Sequence, residues 1–169
     1  MGIRININFD EKRWLKTNFR ARARKAFEAT LSLQSCVDFL EKTEVSILAC
    51  NDQVIRRLNN QFRGVNTTTD VLSWPRTDQL SFYRNKVLLG QKPKNDTFDL
   101  GDIAISFDTC TKQSVDLELK FEDHVVHLLI HACLHLLGFN HQKDTDFQKM
   151  KELEIKCLEA CGIENPYAW

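Results

Sequence analysis

Apolar and polar residues alternate in "IRININF", which predicts a half-buried strand from Ile3 to Phe9. After Asp10, read as a helix cap, the period changes. Leu15, Phe19, Ala23, Ala26, Phe27 and Leu31 recur at helical spacing against Lys and Arg, so one helix is expected from residue 11 to about 31. "EVSILAC", Glu44 to Cys50, is a second strand, and Asn51 or Asp52 caps a short helix ending near Gly64. "TDVLSW", Thr69 to Trp74, is a third strand stopped by Pro75, and the more apolar "LGDIAISF", Leu100 to Phe107, is a fourth and central one. Residues 76–99 are rich in turn formers and are expected as a long loop over the sheet. A helical segment follows Asp108. A long apolar helix is predicted from about Phe121 to Leu137, and an amphipathic helix over 144–161 is closed by Gly162. Alternating strands and helices of this kind predict one α+β domain over 1–169, with about four strands in a mixed sheet and helices packed over it.

Composition agrees with a single domain: 169 residues, 43% hydrophobic and 27% charged, can bury one sizeable core. The formal net charge is zero, which excludes a protein coated in positive charge, so any nucleic-acid surface has to be local. One basic candidate is the row Lys12, Lys16, Arg20 and Arg24, repeating every four residues along the first helix. No apolar run approaches the roughly 18 residues needed to span a bilayer, and no secretory leader is evident, so a soluble cytoplasmic protein without membrane contact is expected. The cysteines at 36, 50, 110, 133, 157 and 161 form no C-x-x-C pair and are read as reduced core thiols.

The chemistry concentrates in "HVVHLLIHACLHLLGFNH", residues 124–141, which holds all five histidines. On a helix, His124, His127, His131 and His135 fall in one row within an arc of about 80°. Cys133 points away from the row, toward the core. His131 and His135 stand at i and i+4, the spacing that brings two imidazoles to one metal ion from consecutive turns. Gly138 ends the helix where a left-handed residue lets the chain reverse and return His141 toward the same point. Three imidazoles leave a tetrahedral position open, as in catalytic zinc sites. The spacing equals that of zinc peptidases, but those carry Glu beside the first histidine as general base, and here the residue is Ala132. His124 and His127 remain unassigned.

"HACLHLLGFNH" resembles the H-G-x-L-H-L-x-G-x-D-H signature of the YbeY family of single-strand endoribonucleases implicated in rRNA maturation. "LNNQFRGVNTTTDVLSWP" and "LGDIAIS" are similar to two further blocks of that family in the same order. The resemblance implies a metal-dependent endoribonuclease of the rRNA small-subunit 3′ end, active in ribosome quality control, with single-stranded RNA, rRNA and the ribosome as partners. By position it implies His131, His135 and His141 as ligands of one Zn2+ per chain. Arg63 is implied as the catalytic basic residue, Thr69, Asp70 and Ser73 lie beside the cleft, and Asp102 sits at a Gly-Asp turn. Ala132, Asn140, Phe62 and Trp74 depart from the family pattern. Asp70 and Asp102 also fit purely structural roles, and the attacking group is either hydroxide or the ribose 2′-OH. Two other readings stay open: a zinc hydrolase of peptides or small molecules, and a non-catalytic ribosome-associated factor.

Overall fold

The computed structural model describes residues 2–33, 42–76, 97–140 and 143–167. Among these residues four strands form one mixed sheet: β1 (Arg4–Phe9), β2 (Thr43–Cys50), β3 (Val71–Pro75) and β4 (Phe98–Ser106), in the order β1-β2-β4-β3. The first three in that order run parallel, and β3 closes the sheet antiparallel to β4 with Ser73 opposite Ile103. The predicted α+β architecture is therefore observed. Among the described residues five α-helices accompany the sheet: α1 (Phe19–Leu33), α2 (Asp52–Arg63), α3 (Phe107–Asp116), α4 (Phe121–Leu136) and α5 (Asp144–Ala160). None is long and apolar enough to cross a membrane among the described residues.

The alternation in β1 and β2 divides the sheet into two faces. Val45, Ile47, Ala49, Ile103 and Ile105 bury against α1, α4 and α5 in the main core. Leu72, Ala104 and Cys50 point the other way and are partly covered by Ile55 of α2. Helix α4 is central: Val125, Leu129, Ile130, Cys133, Leu134 and Leu136 are each 0% exposed. All five described cysteines are buried free thiols, as expected for a reduced core, while Cys36 lies outside the described residues.

Three local expectations are corrected. The first helix is not continuous: a 3-10 turn at Lys12–Lys16, capped by Glu11 rather than Asp10, is separated from α1 by Asn18 in the left-handed region at φ 52°. Asparagine tolerates that conformation, and the break lets Trp14 turn inward to 0% exposure and donate from Nε1 to the Cys50 carbonyl at 2.9 Å. The four-residue basic row is thereby split across two elements. Pro75 does not stop β3; it is its last residue, tolerated because β3 lies at the edge of the sheet among the described residues. Finally, Phe107 belongs to α3, not to β4. Most of the expected 76–99 loop lies outside the described residues, but Phe98 and Asp99 are already strand.

The starts of α2 and α3 are tied together. Asn51 caps α2 by accepting from the Val54 N–H at 3.1 Å, which frees Asp52 to reach across. Asp52 accepts from the Thr109 N–H (3.2 Å), the Thr109 hydroxyl (2.6 Å) and the Ser106 hydroxyl (2.6 Å), and its own N–H donates to Asp108 at 3.0 Å. Each helix thus supplies the carboxylate that satisfies a free N–H of the other.

Candidate active site

One cleft of about 650 Å³ gathers His127, His131 and His135 of α4, Arg63 from the end of α2, and Thr69, Asp70 and Ser73 at β3. Sequence separation does not matter here, because α4 lies against β3 and α2 ends beside it. Arg63 is the last residue of α2, and Gly64 follows at φ 69°. The loop after it is held by Asn59, 5% exposed, whose amide donates to the Thr67 carbonyl at 3.0 Å, and by Arg56 donating to Asn66 at 3.0 Å. Asn59 is a residue the sequence reading passed over.

The two helical histidines meet as the i, i+4 spacing requires. Their Nε2 atoms are 3.0 Å apart. The Nδ1 of His135 faces the Phe139 carbonyl at 2.9 Å, and the Nδ1 of His131 faces the Glu154 carboxylate. Neither a carbonyl nor a carboxylate donates, so both Nδ1 atoms carry protons and both Nε2 atoms present lone pairs toward one place. Two lone pairs at that separation need a shared positive charge, an extra proton or a cation. The donor set fits a divalent metal bound by imidazole Nε2, with the acceptors behind each ring fixing its tautomer. His141 lies outside the described residues, and among those described no cluster of three ligating side chains is formed.

Gly138 is left-handed as foreseen, at φ 88°, while the expected return of His141 lies outside the described residues. The Phe139 N–H returns to the Leu134 carbonyl at 3.0 Å, closing the helix in a left-handed cap. Asn140 lines the cleft beyond this turn.

Glu154 of α5 is the main residue the sequence reading missed. It is 2% exposed and accepts from His127 Nε2 at 3.0 Å, from His131 Nδ1, and from the Tyr167 hydroxyl at 2.5 Å. Burial pushes its pKa up, but the bonds from His127, His131 and Tyr167 outweigh that and hold it well below the usual carboxylate range. A carboxylate so held is a poor proton acceptor, and it does not replace the glutamate that Ala132 lacks. Tyr167 in turn is raised, first by burial and then by its bond to Glu154. A signal for Glu154 existed: Met150, Glu154 and Leu158 recur every four residues on the buried face of α5, where a charge is out of place unless paired.

The histidine row divides. His124 is 6% exposed and its Nε2 faces the Gln113 side-chain oxygen at 2.8 Å, while the Gln113 amide donates to Asp70 at 3.0 Å. Asp70 also accepts from the Val71 N–H at 2.6 Å and from the Thr69 hydroxyl at 3.3 Å. Both Asp70 and His124 therefore act as braces that fix β3 to α3 and α4. Burial, followed by the neighbouring His127, keeps His124 below its ordinary pKa, against the opposing charge of Asp70. Asp102 is away from the histidines, on the other face of the sheet, 3.6 Å from Arg76.

Comparison with known proteins places the chain in a family. The family model described as "Endoribonuclease YbeY" matches residues 6–162. Curated proteins named Endoribonuclease YbeY are similar along nearly the whole chain. Those from Dinoroseobacter shibae (37% identical, 96% of this chain, 90% of that one), Jannaschia sp. (38%, 96% and 99%) and Ruegeria sp. (38%, 96% and 95%) are examples. The solution structure of TM1509 from Thermotoga maritima shares the fold, with a TM-score of 0.50 at 20% identity over 95% of this chain and 91% of that one. This kinship defines a hydrolase acting on RNA phosphodiester bonds. The chain belongs to the endoribonuclease YbeY family, a family of metal-dependent nucleases.

Proposed function

We propose that this domain, residues 1–169, is a zinc-dependent endoribonuclease specific for single strands, which matures rRNA at the small-subunit 3′ end in association with cytoplasmic ribosomes and serves their quality control. In this reading His131, His135 and His141 hold one Zn2+ and Arg63 is the catalytic residue. The observation that supports it most is the convergence of two tautomer-fixed imidazole Nε2 atoms, 3.0 Å apart, in the cleft that Arg63 lines.

The chemistry a bound divalent ion supplies there is Lewis acidity toward a phosphoryl oxygen or a water. The remaining work falls to the chain itself. His131 and His135 bind through Nε2 because Glu154 and the Phe139 carbonyl hold their protons on Nδ1. The Arg63 guanidinium binds non-bridging phosphate oxygens in a bidentate manner and strengthens as charge accumulates in the pentacovalent transition state. Leu128, Ala132 and Phe139 give the cleft an apolar wall that restricts water around the reacting phosphate.

The test is incubation of the pure protein with single-stranded RNA, with and without chelator, beside His135→Ala and Arg63→Ala. Cleavage should vanish with chelator and in His135→Ala, and should fall about 100- to 1000-fold in Arg63→Ala, the usual cost of removing one transition-state donor. Cleavage that persists in both variants would sink the reading. So would a zinc content far below one per chain in freshly purified protein.

A further inference from the structure

A second groove, about 640 Å³, lies on the opposite face of the sheet from the main core, with α2 as one wall. It shares two elements with the histidine cleft. Along β3 the side chains alternate: Val71, Ser73 and Pro75 line the histidine cleft, and Trp74 lines the second groove. At the end of α2 the same division recurs, Arg63 on one side and Phe62 on the other. Strand β3, at the edge of the sheet among the described residues, therefore stands between a cleft lined by a guanidinium and a groove lined by aromatic rings.

The second groove suits a planar apolar group with polar edges. Phe62 and Trp74 meet edge to face, centroids 5.4 Å apart, and Phe62 is 57% exposed, so a ring face is open to a ligand. Leu48, Leu58 and Ala104 form an apolar floor, and Asn6, Asn8, Ser46 and Asp102 supply donors and acceptors around it. No Lys or Arg is among the described residues that line it, and the charged residue there, Asp102, is 3.6 Å from Arg76. Phosphate charge is accommodated on the Arg63 side and a π face on the Phe62 side, a split that matches the two halves of a nucleotide.

We propose that Phe62 and Trp74 form a stacking subsite for an unpaired nucleobase of the RNA strand whose backbone runs through the histidine cleft. The proposal rests on the reading of that cleft as the site of RNA cleavage, and it gives a physical origin for single-strand preference. A base crosses the β3 edge only when it is free of a pairing partner and can turn away from its neighbours.

The test is the affinity of the full chain for a fluorescein-labelled single-stranded 2′-O-methyl oligonucleotide, read by anisotropy and checked intact on a denaturing gel. Phe62→Ala should raise Kd about tenfold, within the range of base–aromatic stacking. Phe62→Trp should restore affinity, and Val115→Ala, exposed on α3 at 71%, should match wild type. A strand of the same length without bases should bind wild type more weakly and show no further loss with Phe62→Ala. Unchanged affinity in Phe62→Ala, as expected if the groove receives an apolar protein segment instead, overturns the proposal. An equal loss on the baseless strand also overturns it, because the contact would then be to the backbone. Cleavage of unmodified RNA is assayed on the same samples. Phe62-dependent binding without cleavage counts against the functional reading alone, and cleavage with Phe62-independent binding counts against the stacking subsite alone.

Discussion

Replacing Glu154 by Gln isolates what the buried carboxylate does for the histidines. The side chain keeps its size, but three donors, from His127, His131 and Tyr167, now meet one carbonyl oxygen and one NH2 group. Only the oxygen accepts. If the NH2 faces His131, its Nδ1 must become the acceptor and the ring proton moves to Nε2, which removes the lone pair aimed at the metal position. If the oxygen faces His131, His127 and Tyr167 are left against an NH2 group in a site where Glu154 is 2% exposed. Loss of a carboxylate behind a ligating imidazole typically weakens metal affinity about 10- to 100-fold. That corresponds to about 1.4–2.7 kcal/mol. The assay is a zinc dissociation constant from competition with a chelator of known affinity, with the melting temperature of the metal-free protein measured in parallel to separate folding from binding. Tyr167→Phe is the companion: it removes one hydrogen bond and leaves the charge, so zinc affinity should change by no more than about threefold. A Glu154→Gln protein that is folded and binds zinc within about twofold of wild type would refute the argument that Glu154 sets the His131 tautomer.

Four further outcomes are expected. Arg63→Lys should retain substrate affinity better than turnover, because an ammonium cannot make the bidentate contact; equal kcat in the two proteins would remove the bidentate role. Gly101→Ala should destabilise the fold, since φ is +126° and an added Cβ would lie 2.1 Å from the Trp74 carbonyl oxygen. The backbone region alone costs about 1–3 kcal/mol, measurable by urea unfolding. Leu129→Ala, at 0% exposure in the middle of α4, should cost about 2–5 kcal/mol in the same experiment. Glu11 is lowered from 4.5 to about 2, chiefly by hydrogen bonds from the Arg13 side chain and backbone N–H. Because the folded value is the depressed one, its stabilising effect is present above about pH 4.5 and is lost as pH falls toward 2, and Arg13→Ala should move the carboxyl titration seen by NMR back toward 4.5.

The elements that were legible are those whose pattern has a single period. Four strands and the long helices follow from alternation and from 3.6-residue spacing, because burial on one face leaves no other arrangement for residues such as Ile5, Ile7, Val125 and Leu129. The break at Asn18 was hidden because Leu15 and Phe19 keep helical spacing on either side of it, although Leu15 is 62% exposed and Phe19 is 1% exposed. Periodicity records which positions are apolar, and the packing of Trp14 decided which of them turn inward. The brace from His124 through Gln113 to Asp70 was equally out of reach, since it joins three elements by contacts of specific geometry and no spacing rule links them.

At Gly138 the left-handed turn expected from the sequence does more than end the helix. A glycine between His135 and His141 was needed to reverse the chain, and the reversal occurs at φ 88°. The same turn brings the Phe139 carbonyl back over the last helical turn, where it accepts the His135 Nδ1 proton at 2.9 Å. Glu154 performs the corresponding task for His131 from a different helix. One acceptor is backbone delivered by a local turn, the other a carboxylate delivered by tertiary packing. The first was implicit in the H-x3-H-x2-G spacing. The second required knowing that α5 lies against α4, which no pattern within α4 contains.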